Sequence, residues 1–551
     1  MHIVLVGLPG SGKSVVGKRL AHRHGADFID IDEQIEHADG RSIPTIFEDD
    51  GEAAFRVLER RAVASLGPAD TDPEVRRVIA TGGGAVVDPR NRWSLYRGRI
   101  TVWLDGRPEV LAQRLRRSPR VRPLMTGRDP FGAIRNLAAR RERFYAAADC
   151  RVAGMAEITG VVEAVERHLA RLPVNPNGAP TTLLRATTPI GRIEIGEGIS
   201  GVAVDQALRR LEARRAILVS EPGAWAAAGA AIGDTLAAFG WPVETLMLPE
   251  GEAAKQLSVI ERAASDLARR RVRRDEPIVA IGGGALGDSA GFRSATYLRG
   301  IPVIHVPTTL VAQMDSSIGG KTAVDLPEGK NLVGAFHQPA AIVIDVAVLG
   351  TLPERQRRAA LGEAVKMAAL GDERLFVLLE RHGSEMALGE AASAARGDVA
   401  ELVERSAWAK IEVVTADERE RGPKGGRITL NLGHSLGHAV EAAAGYRELL
   451  HGEAVAYGLR AACRIGLAIG LTPPERAARI TRLLDDLGLG REPLPYALEN
   501  VMDHLATDKK HDSDGLRWVL PTGDGVEIRT DVADEIIRDA AESLLTAAAA
   551  S

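Results

Sequence analysis

Cysteine and aromatic residues are scarce in this chain. Its 551 residues include only Cys150 and Cys463, too few for a disulfide framework. Aromatic residues make up 4% of the sequence, so its hydrophobic cores must be packed from Ala, Val, Leu and Ile. The formal net charge of -4 leaves no excess of basic residues that would attract nucleic acid or an anionic membrane. Any anion-binding site must therefore be local.

A long hydrophobic run is also missing. The most apolar helical stretch, AVAYGLRAACRIGLAIGL, is interrupted by Arg460 and Arg464. It falls short of the roughly 20 predominantly apolar residues that a membrane span needs, so no transmembrane segment is predicted. Residues 1–6 lead directly into a glycine loop instead of a secretory signal. Together with the scarcity of cysteine, this predicts a protein of the reducing cytoplasm.

The alternation of strand and helix patterns predicts an α/β chain with several domains. The runs HIVLVG, RVIATGGG and RITVWLDG each end on glycine and are separated by amphipathic stretches, which is the βαβ pattern of a parallel sheet. The rhythm stops in a stretch rich in Pro, Asn and Gly, restarts at RAILVSEPG as a second parallel sheet, and gives way after Pro353 to helical spacing. We therefore predict a first domain at 1–170, a linker at 171–182, a second α/β domain at 183–352 and a mostly helical domain at 353–551.

The segment GLPGSGKS at 7–14 satisfies the pattern G-x-x-x-x-G-K-[ST]. It follows a predicted strand and opens a predicted helix, which is the context that a phosphate-binding loop requires. Backbone N–H groups of such a loop and the helix N-terminus surround phosphates, while Lys13 would reach the β and γ oxygens and Ser14 a magnesium ion. Sequence and context agree, so the pattern indicates a nucleotide site.

Phosphoryl transfer also needs an acceptor, and the polar residues that follow are typical of an acceptor site. In FIDIDEQIE, Asp30 and Asp32 are predicted to lie on one side of an extended segment, where one could hold magnesium and the other could orient or deprotonate a hydroxyl. A D-x-D pattern is equally typical of a solvated strand end. Arg56 adds a cation, and the glycines of TGGGAV at 81–86 allow close approach to the backbone. The run RLRRSPRVRPLMTGR is typical either of a solvated face or of a lid over the phosphate.

Positions 1 to 170 resemble shikimate kinase, a small P-loop kinase. The loop is joined to FIDID, GEAAFR, TGGG, RPL and RRERFY in the order of that family, although Arg143 stands where the family often has Pro. The resemblance implies phosphorylation of shikimate by ATP with magnesium, with Lys13, Asp32 and Arg122 as catalytic residues. It implies ATP binding by Gly10, Ser11, Gly12, Lys13, Ser14 and Arg117, shikimate binding by Asp32, Arg56, Gly82, Gly83 and Arg141, and magnesium binding by Ser14 and Asp30.

The second half contains more polar residues than a structural loop usually needs. AIGGGALGDSAGF places glycines after a strand without the G-x-G-x-x-G spacing, so alone it is a weak dinucleotide signal. The stretch from PTTLVAQ to GAFHQP contains Asp315, Lys321, Lys330 and Asn331. The segment RITLNLGHSLGH contains Arg427, Asn431, His434 and His438. Between them, Glu363 and Lys366 of GEAVK are predicted to share one helix face.

Glutamate and histidine residues of this half predict a metal site. Glu363, His434 and His451 form a His₂Glu set like those of catalytic zinc sites, which keep one position open for water or substrate. A lone histidine in a helix is more often a satisfied polar residue, but several candidates lie in one polar region, and the ligand types favour zinc. His434 and His438 are four residues apart, which brings their Cβ atoms within roughly 5–6 Å on a helix. Spacing alone therefore does not decide which of the two is a ligand.

Positions 185 to 545 resemble 3-dehydroquinate synthase. The matching motifs are GGGALGDSAGF, ATYLRGI, PTTLVAQMDSSIGGKTAV, GKNLVGAFHQP, LNLGHSLGHAVE, HGEAVAYGL and DKK, in family order. The resemblance implies a Rossmann-like NAD-binding domain followed by a helical metal- and substrate-binding domain. It also implies that Glu363, His434 and His451 bind zinc, or another divalent metal such as cobalt, and that His438 contacts substrate.

In that family, a tightly held NAD temporarily oxidises a ring hydroxyl of 3-deoxy-D-arabino-heptulosonate 7-phosphate. Phosphate then leaves, the hydride returns, and an aldol closure gives 3-dehydroquinate. The catalytic residues implied here are Lys366, Arg427 and His438. The implied NAD-binding residues are Glu252, Lys255, Gly283, Gly284, Asp288, Thr308, Thr309, Asp315, Lys321 and Lys330. The implied substrate-binding residues are Lys321, Asn331, Lys366, Lys410, Arg427, Asn431, His438 and Lys509 or Lys510.

The sequence therefore predicts a fused two-enzyme chain that acts on small molecules, without nucleic acid or membrane partners, and a homodimer formed through the synthase half. One alternative is that the second half is another sugar-phosphate cyclase, because a few pocket changes can alter the substrate. A second alternative is that the first half senses nucleotide without turnover, which the presence of Lys13, Asp32, Arg56 and Arg122 disfavours. The two steps are not consecutive in the pathway, so direct transfer of an intermediate between the sites is not expected.

Overall fold

The computed structural model describes residues 1–69, 74–117, 129–154, 157–171, 180–327, 329–389, 393–419, 426–509 and 516–546, without the side chains of 130, 393–395 and 507–509. By their contacts, the residues form two compact units. The first consists of Met1–Thr187 with Arg192–Ile199, and the second of Thr188–Gly191 with Ser200–Ser551. Most of the predicted linker, 172–179, lies outside the described residues.

A five-stranded parallel sheet forms the centre of the first unit. Its strand order is β2–β3–β1–β4–β5. The strands are β1 (His2–Val6), β2 (Asp27–Asp30), β3 (Arg77–Ala80), β4 (Ile100–Asp105) and β5 (Cys150–Ala153). The helices are α1 (Lys13–His24), α2 (Ile31–Asp39), α3 (Ile43–Asp49), α4 (Gly51–Ala64), α5 (Pro89–Tyr96), α6 (Pro108–Arg116), α7 (Pro130–Tyr145) and α8 (Ile158–Leu169). All residues of β1 are buried, as expected for a parallel strand covered on both faces.

The strand order explains why the motifs of the first unit meet. β2, β3 and β1 are neighbours, and the carboxyl ends of parallel strands lie at one edge of the sheet. The phosphate loop follows β1, Asp30 ends β2, and the glycine segment at 82–84 follows β3. Three distant motifs are therefore brought to the same edge.

The predicted extended segment through Asp32 is wrong. β2 ends at Asp30, and Asp32 lies in the first turn of α2. Asp30 caps this helix, because its Oδ1 accepts a hydrogen bond from the backbone N–H of Asp32 at 3.0 Å. The cap satisfies one of the unpaired donors at the helix start, so helix capping determines the local structure and the alternating strand pattern does not.

The second unit contains a parallel sheet in which β14, β11, β10, β8 and β9 pair in this order. Its strands are β8 (Ala216–Ser220), β9 (Val243–Met247), β10 (Ile278–Gly282), β11 (Val303–Pro307) and β14 (Ala341–Asp345), and in the chain they follow β6 (Thr181–Thr188) and β7 (Gly191–Glu197). The accompanying helices are α9 (Ser200–Arg210), α10 (Pro222–Ala224), α11 (Ala230–Ala238), α12 (Leu257–Arg269) and α13 (Gly284–Thr296). An antiparallel pair, β12 (Lys321–Leu326) and β13 (Gly329–Phe336), lies between β11 and β14 in the chain.

The described residues after Pro353 are mostly helical, as the sequence predicts. The helices are α14 (Glu354–Ala369), α15 (Glu373–Leu388), α16 (Ser393–Ala416), α17 (His434–Ala443), α18 (His451–Ala468), α19 (Pro474–Asp486), α20 (Leu498–Lys509) and α21 (Asp534–Glu542). One antiparallel pair, β15 (Trp518–Pro521) and β16 (Val526–Arg529), accompanies them. The predicted order of a P-loop domain, a Rossmann-like α/β region and a helical region is confirmed.

Two expectations drawn from what the sequence lacks can be compared with the structure. Cys150 and Cys463 are both buried and free, so they form no disulfide. Within the described ranges, no helix combines the length and hydropathy that crossing a bilayer requires.

Candidate active sites

The phosphate loop of the first unit is shaped by glycine. Gly10 and Gly12 have φ values of 82° and 92°, in the left-handed region that glycine enters at little steric cost. Gly12 precedes α1, and no side chain caps this helix start. The Nζ of Lys13 is folded back onto the loop and donates to the carbonyl oxygens of Gly7 at 2.8 Å and Leu8 at 3.0 Å. The loop therefore presents backbone donors at a helix N-terminus, which suits phosphate.

Oxygen atoms that would suit magnesium lie beside this loop. The Oγ of Ser14 donates a hydrogen bond to Oδ2 of Asp30 at 2.5 Å. Asp30 is 5% exposed and is fixed by its cap on α2. A hydroxyl and a carboxylate next to a phosphate site are the ligand types that magnesium takes from proteins, so the residues fit this ion.

The predicted acceptor residues converge on the glycine segment Gly82–Gly84. A methyl group on its first glycine would lie 2.6 Å from Oδ1 of Asp32, and one on its last glycine would lie 2.6 Å from Nη1 of Arg56. Nη1 of Arg141 donates to the carbonyl oxygen of the middle glycine at 2.7 Å. The structure thus brings together one carboxylate, two guanidinium groups and an open backbone, which can bind a small polyhydroxy acid.

Two polar residues of this cluster were missed by the sequence analysis. Glu59 is 1% exposed, its Oε2 lies 2.8 Å from Nη1 of Arg56, and burial raises the pKa of Glu59. The hydroxyl of Tyr145 donates to the carbonyl of Gly83 at 2.6 Å, and burial raises the pKa of Tyr145 to about 12. The spacing of Arg56 and Glu59 at i and i+3 in a predicted helix was a usable signal. Tyr145 had no comparable signal, because its contact joins elements far apart in the chain.

The lid residues can be placed only in part. Arg122 belongs to 118–128, outside the described residues. Arg117 is exposed directly after α6.

The three predicted metal ligands of the second unit lie together with His438, the predicted substrate contact. Glu363 comes from α14, His434 and His438 from α17, and His451 from α18. Oε1 of Glu363 lies 3.5 Å from Nε2 of His434 and 3.0 Å from Nε2 of His451. One ring nitrogen of each of the three histidines lies within 4.8 Å of those of the other two. This arrangement by itself does not choose between His434 and His438.

Hydrogen bonds at the far side of two rings suit a bound cation. Nδ1 of His434 lies 3.1 Å from the carbonyl oxygen of Leu432, and Nδ1 of His451 lies 3.1 Å from Oε2 of Glu441. With a metal bound, donation from Nδ1 would leave the lone pair of each ring on Nε2, and in both rings Nε2 is directed toward Glu363. The oxygens of Glu363 are buried and accept no hydrogen bond of good geometry from the described residues. These nitrogen and oxygen donors fit zinc or cobalt.

The charges around this cluster are strongly coupled. Burial would raise the pKa of Glu363, but Lys366, whose Nζ lies 2.6 Å away, and the two histidines bring the pKa well below its usual value. Burial and the nearby Lys366 lower the pKa of His434 to about 3. Burial would also lower the pKa of His451, but the nearby carboxylates of Glu363 and Glu441 raise the pKa to about 10. The cluster thus holds positive charge between two carboxylates even without an ion.

Glycines beside the candidate ligands let their helices approach closely. A methyl group on Gly362 would lie 2.2 Å from the carbonyl oxygen of Gly452, and one on Gly452 would lie 1.9 Å from that of Ala359. A methyl group on Gly458 would lie 1.7 Å from the carbonyl oxygen of Gly433. Three of these glycines directly adjoin a candidate ligand in sequence. The helices α14, α17 and α18 therefore meet through backbone contacts.

The predicted dinucleotide site lies at the carboxyl end of β10. α13 begins at Gly284 without a side-chain cap, so its first N–H groups suit a pyrophosphate. A methyl group on Gly283 would lie 3.1 Å from Cγ2 of Thr309, and one on Gly284 would lie 2.9 Å from Oγ of Ser316. This tight, uncapped glycine turn fits a dinucleotide. Thr308 is buried, and its N–H donates to the carbonyl of Gly282.

Charged residues predicted for NAD form a connected group next to this turn. Nζ of Lys255 lies 2.9 Å from Oδ2 of Asp288 and also bonds the side-chain oxygen of Asn331. Nζ of Lys330 lies 3.5 Å from Oε1 of Glu252. Lys321, at the start of β12, is exposed.

Two predicted substrate residues, Lys366 and Lys410, meet at Asp315, and Lys366 also contacts Glu363 of the metal cluster. Oδ1 of Asp315 lies 2.8 Å from Nζ of Lys410 and 4.0 Å from Nζ of Lys366. Burial would raise the pKa of Asp315, but these two lysines lower it to about 2. Nη1 of Arg427 donates to the carbonyl oxygens of Gly319 and Glu418. Asn431 ends the 3-10 turn before α17, whereas Lys510 and the side chain of Lys509 lie outside the described residues.

A mainly apolar cavity lies where the chain leaves the carboxyl ends of β11 and β14, and it has a volume of about 320 Å³. Its walls include the apolar residues Leu310, Val346, Leu349, Met386 and Val399. Arg357 and Arg396 are charged residues of the same lining. The sequence analysis did not single out these residues.

Fold and geometry define two classes of site. The first unit has the phosphate loop, magnesium-type oxygens and acceptor cluster of a P-loop phosphotransferase. The second has an uncapped glycine turn for a dinucleotide near a buried cluster of one glutamate and three histidines, as expected of a metal-dependent enzyme that oxidises a hydroxyl.

Comparison with known proteins identifies the families. Residues 9–169 match the family model for shikimate kinase, residues 245–359 that for the N-terminal part of 3-dehydroquinate synthase, and residues 360–511 that for its C-terminal part. The 3-dehydroquinate synthase of Symbiobacterium thermophilum is 43% identical over 361 residues, which cover 64% of this chain and 97% of that protein. The chain therefore belongs to the 3-dehydroquinate synthase family and carries a shikimate kinase domain ahead of the synthase domains.

Two solved structures resemble the synthase part. A 2-epi-5-epi-valiolone synthase from Streptomyces hygroscopicus, with NAD⁺ and Zn²⁺ bound, is 27% identical with a TM-score of 0.58, and the match covers 64% of this chain and 96% of that one. A 2-deoxy-scyllo-inosose synthase, complexed with carbaglucose-6-phosphate, NAD⁺ and Co²⁺, is 26% identical with a TM-score of 0.56, covering 67% of this chain and all of that one. The predicted cofactors of this half, NAD with zinc or cobalt, agree with both.

Proposed function

We propose that this chain catalyses two reactions of the shikimate pathway at separate sites. The first unit transfers phosphate from ATP to shikimate, and the second converts 3-deoxy-D-arabino-heptulosonate 7-phosphate to 3-dehydroquinate and phosphate. The observation that supports this most is the convergence of Glu363, His434 and His451 beside Lys366 in a chain that matches both families. The two structural relatives act on other substrates, but the much higher identity to a 3-dehydroquinate synthase favours dehydroquinate as product.

In the second unit, Glu363, His434 and His451 would hold the metal. When bound, NAD would supply a hydride acceptor and the metal would supply Lewis acidity toward the reacting hydroxyl. Lys366 and Lys410 place two buried ammonium groups around Asp315, and such a group can bind a phosphate or carboxylate of the substrate. Two backbone carbonyls orient Arg427 for the same purpose. His438, which faces the same cluster, contacts substrate.

The cofactor would extend from the glycine turn in two directions. The N-terminus of α13 would take the pyrophosphate. Lys255, Asp288 and Lys330 would surround the nicotinamide side. The cavity beside Leu310 and Leu349 has the apolar walls that an adenine ring requires.

In the first unit, the phosphates of ATP would replace the backbone carbonyls as partners of Lys13. The N-terminus of α1 and Lys13 then stabilise the negative charge that shifts during phosphoryl transfer. Asp32 would orient or deprotonate the attacking hydroxyl of shikimate, which Arg56 and Arg141 hold by its carboxylate and neighbouring oxygens. Arg122 would close over the transferred phosphate, and Arg117 would contact the nucleotide.

The decisive experiment is metal and nucleotide analysis of the purified full-length chain, combined with assays of each half-reaction. We expect one zinc or cobalt ion, bound NAD, ADP release from ATP and shikimate, and formation of 3-dehydroquinate with phosphate. ATP binding without ADP release would favour the nucleotide-sensing alternative. Turnover of a different heptulose phosphate in place of the heptulosonate would favour another cyclase.

We propose the domains 1–170, 183–352 and 353–551 with a linker at 171–182, and a homodimer formed through the synthase half. Leu332 and Phe336 lie on one face of β13 and are 48% and 45% exposed, which suits a contact between copies. Two buried free cysteines suit the reducing cytoplasm. Light scattering of the full chain tests the dimer, and a mass equal to one chain would contradict it.

A further inference from the structure

Glu441 links two parts of the synthase site that are far apart in the chain. It lies on α17 at i+7 from His434 and i+3 from His438, so it shares their helix face. The residue is only 7% exposed. Its Oε2 lies 3.1 Å from Nδ1 of His451, and its Oε1 lies 3.2 Å from Nζ of Lys330. One buried carboxylate therefore contacts both a candidate metal ligand and a residue of β13.

The contact with His451 determines which ring nitrogen faces the metal position. When Nδ1–H donates to Glu441, the lone pair of His451 lies on Nε2, 3.0 Å from Oε1 of Glu363. Outer carboxylates of this kind orient ligating histidines and increase their basicity. The ring of His434 has a backbone carbonyl, that of Leu432, in the corresponding position. Orientation of His451 thus depends on a side chain that can itself move or change partner.

The contact with Lys330 joins that carboxylate to the dinucleotide side. Nζ of Lys330 also lies 3.5 Å from Oε1 of Glu252 and 4.7 Å from the ring centre of Tyr446. The N–H of Tyr446 donates to the carbonyl oxygen of Glu441 at the end of α17. The turn that ends α17 therefore places both Glu441 and Tyr446 next to Lys330. An anionic cofactor that attracts Lys330 would draw positive charge away from Glu441. Glu441 would then polarise His451 more strongly.

We propose that Glu441 is a positioning residue that couples the metal site to the dinucleotide site, by orienting His451 while it is itself held by Lys330. This inference rests on the proposed function, from which it takes the ligand and the cofactor. Filling the dinucleotide site increases metal affinity, and the metal increases dinucleotide affinity by the same factor, because coupling between two binding sites is reciprocal. Typical couplings predict an effect of about fivefold or more.

The test measures metal binding directly. The full-length chain is freed of metal and dinucleotide and titrated with Co²⁺, followed by its visible absorption, with and without NAD. In the unsubstituted chain, NAD should tighten Co²⁺ binding by about fivefold or more. Glu441→Gln should weaken Co²⁺ binding without NAD by roughly 10–100-fold and abolish the effect of NAD. Lys330→Met should also abolish the effect of NAD, with a smaller change in Co²⁺ affinity in its absence.

Glu401→Gln is a matched control for the loss of a buried charge. Glu401 is 1% exposed and accepts hydrogen bonds from Arg374 at 2.7 Å and from Arg405 at 3.0 Å. None of these three residues is predicted to belong to a site. The control should lower the melting temperature without changing Co²⁺ affinity or its dependence on NAD. If Glu441→Gln does not fold, Lys330→Met tests the coupling by itself.

The outcomes separate this inference from the function on which it rests. Unchanged Co²⁺ affinity in Glu441→Gln would overturn the positioning role. An unchanged effect of NAD in either variant would overturn the coupling. An unsubstituted chain that binds neither Co²⁺ nor NAD would instead overturn the proposed function of the second unit, and this inference with it.

Discussion

The phosphate loop of the first unit and the metal cluster of the second hold charge by different means. The loop occupies consecutive residues at 7–14, and its Lys13 is held by the backbone carbonyls of Gly7 and Leu8. The metal cluster collects side chains from α14, α17 and α18, and its charges are held mainly by one another. A site built from local backbone depends on a few dihedral angles, whereas a site built from distant side chains depends on the packing of whole helices.

The two sites should therefore fail in different ways when a residue is removed. Loss of Lys13 leaves two carbonyls that water can satisfy. Loss of one partner in the buried group of Glu363, Lys366 and Asp315 leaves an uncompensated charge, which typically costs about 3–5 kcal/mol. Variants of the second site need a stability control, which variants of the first need less.

Lys13→Ala tests whether the two sites are independent. Kinase turnover should fall by at least about 10²–10³-fold, because a main stabiliser of the transferring phosphate is removed. Cyclisation should remain nearly unchanged, since separately folded domains seldom share catalytic groups. Both rates are measured in the full-length chain. A parallel loss of both activities would show that the sites depend on each other.

Paired histidine variants test which side chains hold the metal. His451→Ala should lose bound metal and synthase activity, because it removes a ring whose Nε2 faces Glu363. His438→Ala should keep the metal while losing activity. Metal content is measured by elemental analysis of each purified variant. Metal loss in His438→Ala alone would exchange the assigned roles of the two histidines.

His305 on β11 tests the acid sensitivity of the second sheet. It is 6% exposed, and burial, with a smaller effect of His337, lowers its pKa from 6.5 to about 4. Between these values the unfolded chain binds more protons than the folded chain, so stability falls as the pH is lowered from 6.5 to 4. The predicted loss is about 3 kcal/mol. Denaturant unfolding at pH 6.5 and pH 4 measures this loss in the free energy of unfolding. The loss should be smaller in His305→Gln than in the unsubstituted chain, and equal losses in these two chains would contradict the prediction.

Gly83→Ala tests the backbone character of the first site. A methyl group there would lie 2.7 Å from Cδ of Pro9 in the phosphate loop. Such overpacking costs roughly 1–3 kcal/mol, so kcat/KM for shikimate should fall by about tenfold or more. Gly523→Ala, whose nearest neighbour would be 4.0 Å away, is the control and should change neither reaction. A normal kcat/KM in Gly83→Ala would mean that the loop adjusts easily.

Local patterns made much of the fold predictable. β1, β3, β4, β10 and β11 lie where apolar runs end on glycine or proline, and these runs determine both parallel sheets. The hairpin of β12 and β13 was not predicted, because β13 (GKNLVGAF) is interrupted by two glycines, includes Lys330 and Asn331, and has no buried residue. Asp32 was placed wrongly because the helix cap at Asp30 could not be distinguished from an alternating strand.

The candidate sites were predictable to different extents for the same reason. The phosphate loop is visible in eight consecutive residues, and Glu363 with Lys366 is visible as a helical pair. Glu441 lay in the quoted motif LNLGHSLGHAVE, but its role as partner of His451 depends on where α18 packs against α17. The structure brings His434, His438 and His451 together, and their assignment as ligands or substrate contacts remains a prediction until metal binding is measured.

The glycine contacts among α14, α17 and α18 determine how the second site responds to a different ion. At Gly362, Gly452 and Gly458, backbone carbonyl oxygens of neighbouring segments occupy the space that a side chain would need. The three helices therefore form a tightly packed frame at these positions. We expect such a frame to favour ions that match its dimensions and to resist expansion around larger ones. Changing the preference among divalent ions should then require changes in these main-chain contacts as well as in the ligands.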